Sequence, residues 1–134
     1  MEIVVSWRRI IALAVALLAS QFAIGFVEGA ADTPDRAQAQ FLFSALVSFL
    51  TSAGIFWFFA ARQEHHPFTH AGLGLVVMLV LSIALAAAVF SWLGGNFHLV
   101  LAAAESLTLV AALVVGTYMG IRSRGRSGRS KADA

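Results

Sequence analysis

The chain has 134 residues, of which 60% are hydrophobic and only 12% charged, with a mean hydropathy of +0.85 and a formal net charge of +2. A water-soluble domain carries about 25% charged residues, so this composition excludes a soluble globular surface and predicts an integral membrane protein of one domain. With no cysteine in the sequence, disulfides, thiolate catalysis and Cys-ligated metal centres are excluded as well.

A membrane-crossing helix needs about 20 mostly apolar residues. The first uncharged run, Ile10 to Val27, follows Arg8 and Arg9. It is longer than the apolar region of a usual secretory signal. It therefore reads as an uncleaved anchor, a first span over roughly 7–27. The polar stretch 28–40 follows, with Glu28, Asp32, Asp35 and Arg36, and Thr33-Pro34-Asp35 has the chemistry of a turn. A second span is expected over roughly 41–61, with Ser44, Ser48 and Ser52 at four-residue spacing.

The next loop reads RQEHHPFTH and gathers Glu64, His65, His66 and His70. Three imidazoles and a carboxylate are a donor set for zinc, copper or nickel. Pro67 interrupts the one helical face that His66 and His70 could share, so the stretch is expected to be a solvated loop and only a weak metal candidate. The following helix is expected to begin at Thr69 or His70. The apolar stretch beyond is too long for one helix and contains Gly94-Gly95-Asn96, a turn signal. It divides into a third span over roughly 71–93 and a fourth over roughly 97–121. Residues 122–134, interleaving Arg122, Arg124, Arg126, Arg129 and Lys131 with Ser and Gly, are expected to be a disordered basic tail attracted to anionic headgroups at about 1 kcal/mol per cation.

Lys and Arg set orientation across a membrane. Of the 9 such residues, Arg36 alone falls on the far side of a four-span arrangement. The reading is a four-transmembrane-helix bundle, all-α, with both termini cytoplasmic, in the cytoplasmic membrane of a bacterium. Small residues at four-residue spacing, among them Ala112, Gly116 and Gly120 in the fourth span, mark helix-packing seams.

One charge interrupts the fourth span: Glu105, within AAAESLTLVAALVVG. At about 1.5 Å of rise per residue, it lies roughly 6 Å from the middle of the span, inside the hydrocarbon. A carboxyl at that depth marks a site by default, and with no cation at its level it is expected as the neutral acid. Gln21 and Ser48 fall at a similar depth, so Gln21, Ser48 and Glu105 are expected to form one polar layer. That layer would serve either as structural glue or as a proton- or cation-exchange site. No phosphate-binding glycine loop, nucleophile motif or zinc-protease motif occurs in the sequence. The expectation is a non-enzyme without cofactor or nucleic-acid partner. It would act as an accessory, assembly or interaction subunit with another membrane protein, or as a homo-oligomer. The alternative is a proton-coupled transporter or channel protomer using Glu105.

Overall fold

The structure, a computed structural model, describes residues 6–30, 37–63, 65–93 and 99–132. Among them are four helices: α1 (Trp7–Ala30), α2 (Ala37–Ala61), α3 (Pro67–Leu93) and α4 (Leu99–Ala132). Each is long and apolar enough to cross a membrane. The protein is thus an all-α bundle with four candidate membrane spans. The turn at Gly94-Gly95-Asn96 and the Thr33-Pro34-Asp35 segment lie outside the described residues.

Two helix ends differ from the sequence expectation. α3 begins at Pro67, ahead of Thr69. His66 takes a left-handed backbone with φ of 49°. Pro67 then occupies the first helical position, where a fixed φ suits the helix and the missing N–H is one the helix could not have bonded. The first bond of α3 runs from the His70 amide to the His66 carbonyl, at 3.2 Å. At the other end, α4 is helical through Ala132, so the helix runs into the segment read from the sequence as a basic tail. A helix already nucleated by a long apolar stretch extends at little cost per residue, and this applies to the basic segment too.

The helices do not pack in simple neighbour order. The closest pair is α2 with α4, followed by α1 with α3 and α1 with α2, while α3 and α4 touch little despite being consecutive. The core draws on all four helices, through Leu13, Ala14 and Leu17 of α1, Phe56 of α2, Ala71, Leu75 and Met78 of α3, and Leu109 and Ala112 of α4. Nearly all of these lie in the half of the bundle that holds the start of α1, the 62–66 connection and Arg122 and Arg124 of α4. We call this the basic end. In the other half, large side chains such as Phe22, Phe26, Ile83 and Leu107 are exposed, as lipid-facing residues are.

The α2–α4 seam depends on the absence of side chains. A Cβ added at Gly116 would collide with the Ala53 carbonyl oxygen and stand 2.9 Å from Cβ of Phe56. One at Gly120 would stand 2.7 Å from both Cβ of Ala60 and the Trp57 carbonyl oxygen. Ala112, one turn earlier, is fully buried on the same stripe. The fourth-span stripe is therefore consumed inside the chain, against α2, and does not serve as a face between subunits.

This predicts a contrast between glycines. Gly116→Ala or Gly120→Ala should destabilise the bundle by about 1–3 kcal/mol, since backbone cannot yield to the new methyl. Gly54→Ala, where nothing lies within 4 Å, should be neutral or mildly stabilising because alanine favours helix by up to about 1 kcal/mol. Unfolding in mixed micelles by SDS titration reads both.

Candidate functional site

The polar groups of the interior divide into two sets. The first joins α1 to α2. The Gln21 amide nitrogen donates to Oγ of Ser48 at 2.8 Å and lies 3.2 Å from Oγ of Ser52, and the Ser48 hydroxyl lies 3.1 Å from the Gln21 carbonyl oxygen. Both serines are buried. Gln21 reaches them because it sits one turn beyond the buried Leu17, on the edge of the α1 core face, and Ser48 and Ser52 stack one turn apart on α2. Ser52 is a member that depth alone did not select. Its signal was the i+4 spacing from Ser48.

The second set is Glu105 with its surroundings. The structure does not bring its carboxyl into hydrogen bonds with Gln21 or Ser48, so the expected three-member layer exists only as a Gln21–Ser48–Ser52 cluster. Instead Glu105 lines a lateral groove of about 750 Å³ between α1, α3 and α4. Its walls are apolar, from Phe22 and Phe26 of α1 through Leu79, Ile83 and Val89 of α3 to Leu109 of α4, with Gln21, Ser82 and Ser106 as the other polar residues. All three are already engaged: Gln21 with Ser48 and Ser52, Ser82 through its hydroxyl to Sδ of Met78 at 3.8 Å, and Ser106 by donating to the Ala102 carbonyl at 2.8 Å.

The groove lies where α3 and α4 make little contact with each other. Along α3 its lining runs from Met78 to Phe90, roughly 18 Å at helical rise. That exceeds half of a hydrocarbon core of about 30 Å. Glu28, near the end of α1, lies close enough to Glu105 for the two carboxyls to repel. Its Oε1 is buried and meets no hydrogen-bond partner among the described residues. The groove half therefore carries two carboxyls and, among the described residues, no cation.

At the basic end the polar groups are tied together. The His70 ring is buried. Its Nδ1 lies 3.1 Å from the His66 carbonyl oxygen and its Nε2 accepts from the Ser6 amide at 3.4 Å. The two bonds together require the tautomer with hydrogen on Nδ1, and they link the start of α1 to the start of α3. Arg124 donates to the Gln63 carbonyl oxygen, and the Arg62 guanidinium sits 4.0 Å above the Phe58 ring. His65 and His66 are exposed, and no metal-holding group of His and carboxylate side chains forms among the described residues. The histidines thus separate into one structural strut and two loop residues. Arg122 is exposed, while the side chains of Arg126, Arg129 and Lys131 lie outside the described residues.

Compared with known protein families, characterised proteins and solved structures, the chain matches none. A functional reading therefore starts from the groove and its carboxyls.

The two polar sets predict opposite responses. Gln21→Leu should destabilise the bundle by about 1 kcal/mol, because it strips two buried serines of their α1 partner in a medium without water. Glu105→Gln, which breaks no hydrogen bond, should unfold at the same SDS fraction as the unmodified protein.

Proposed function

We propose that the protein is a non-enzymatic, multi-pass protein of the bacterial cytoplasmic membrane with both termini inside. It acts as an accessory or assembly subunit that holds another integral membrane protein against its groove. Orientation is supported by the gathering of Arg8, Arg9, Arg62, Arg122 and Arg124 at one end of the bundle, as cytoplasmic ends require. The observation that carries the reading is the groove itself. It is open along its side, it is long, and it holds a carboxyl the bundle leaves without a hydrogen bond. A membrane protein sufficient to itself would close such a gap, since packing and polar contacts are what hold helices together in lipid.

A second reading has one observation in its favour. Glu105, an ionisable side chain within a membrane-spanning helix, opens onto the groove and has no hydrogen bond among the described residues, as a proton-exchange site requires. Under that reading Glu105 is the exchange site of a small proton-coupled transporter or channel protomer.

A photo-crosslinking amino acid placed at Ile83, in the groove, should join a discrete integral membrane protein in native membranes. The same amino acid at Val114, exposed but outside the groove, should give lipid adducts alone. Identical lipid-only labelling at both positions would sink the proposal. In proteoliposomes with a pH gradient, a proton flux that vanishes in Glu105→Gln would move the assignment to the second reading.

A further inference from the structure

The groove is specific about what could fill it. Its walls are apolar along roughly 18 Å of α3, and its side is open to the membrane. An elongated trough of this length, running along the helices that line it, fits a rod about three helical turns long.

Charge narrows the choice. Glu105 is exposed to the groove and has no hydrogen-bond donor among the described residues. Glu28 stands close enough to repel it and keeps a buried oxygen unpartnered. A charged carboxyl in hydrocarbon is costly unless a cation arrives from outside the chain. A second copy of this chain cannot bring one. The described Lys and Arg residues stand at the basic end, and no described helix carries a cation at the depth of Glu105. The three phenylalanines around the site, Phe22, Phe26 and Phe90, add ring faces on which a cation is further stabilised.

We infer that the occupant of the groove is a transmembrane helix of a different protein that carries a lysine or arginine at the depth of Glu105 and pairs it with Glu105. This rests on the groove being a docking site, as proposed above, and adds the chemistry of what docks. The paired cation fixes both the rotation and the depth of the incoming helix, because a one-turn slip of about 5.4 Å would separate the charges. Gln21, on the groove floor and already bonded to Ser48 and Ser52, holds the α1 wall in place while the helix seats.

The test uses the full-length protein in phosphatidylcholine vesicles with three synthetic leucine-alanine transmembrane peptides. They carry leucine, asparagine or lysine about four residues from the centre, and association is read by fluorescence transfer. The lysine peptide should bind at least ten-fold more tightly than the leucine peptide. Glu105→Gln should remove most of that difference, and Glu105→Asp should retain part of it, with helical circular dichroism confirming that each variant is folded. Equal binding of all three peptides would overturn the cation inference while leaving groove docking standing. Equal binding of the lysine and asparagine peptides would replace the ion pair with a neutral hydrogen bond and overturn it as well. No binding by any peptide would overturn both the inference and the docking reading. Displacement of the lysine peptide by stearylamine at equal mole fraction would show that a lipophilic amine suffices and that the helix is not recognised.

Discussion

Close backbone approach between α2 and α4 is the constraint on which the rest of this bundle depends. In water, apolar side chains would drive the helices together. In lipid, the surroundings are as apolar as the side chains, and helices associate through dispersion contacts and polar bonds. Those contacts need backbones near each other. Gly116 and Gly120 provide this by offering no Cβ where Ala53, Phe56, Trp57 and Ala60 press in. With α4 fixed against α2, α1 docks through Gln21 to the α2 serines, and α3 docks on α1 around Leu13, Leu75 and Met78. Gly74, where an added Cβ would stand 2.6 Å from Cδ2 of Leu13, plays the corresponding part on α3, although there a side chain rather than backbone is the neighbour.

The groove follows from the same arrangement. α4 is committed to α2 and α3 to α1, so the two members of the final pair are held by different partners. At the basic end, His70 ties the start of α3 to the start of α1, and Arg124 ties α4 to Gln63. Away from that end α3 and α4 leave the space that the groove occupies. The space between them contains Glu105 because the carboxyl sits on the α4 face turned from α2. A full turn beyond it, Leu109 already belongs to the core. One helix thus passes from groove wall to sealed seam within a single turn.

The four spans were legible in the sequence because charges bracket the first two apolar runs and Gly94-Gly95-Asn96 divides the long third one, and a membrane span is a statement about length and hydropathy that needs no partner. The pairing of helices was not legible. Small-residue stripes occur in every span, and a stripe does not say which helix faces it, so Ala112, Gly116 and Gly120 could be assigned to packing but not to α2. Depth arithmetic placed Gln21 level with Ser48, and the two do meet. The same arithmetic placed Glu105 at their level, where it shares the groove lining with Gln21 but makes no hydrogen bond to Gln21 or Ser48 among the described residues. Depth gives one coordinate along the membrane normal, and rotation about the helix axis decides the rest. The groove left no mark in the hydropathy at all, since lipid-facing and partner-facing leucines are the same residues. The N-terminal shift of α3 was readable in principle from Pro67, which is at home in a first turn.

The weak contact between α3 and α4 has a bearing on how the chain is made. Spans emerge in order from the ribosome, and consecutive spans meet first. Of the consecutive pairs, only α1 and α2 form a contact of any extent in the finished bundle, sealed by the Gln21 bonds to Ser48 and Ser52. The α3 helix must then pass over α2 to reach α1. The most extensive seam of the bundle waits for the last span, which finds α2 rather than its own neighbour. Until α4 arrives, the backbone carbonyls of Ala53 and Trp57 face lipid with no helix against them. The most extensive seam of the bundle therefore needs the C-terminal helix, which is the element that completes the fold.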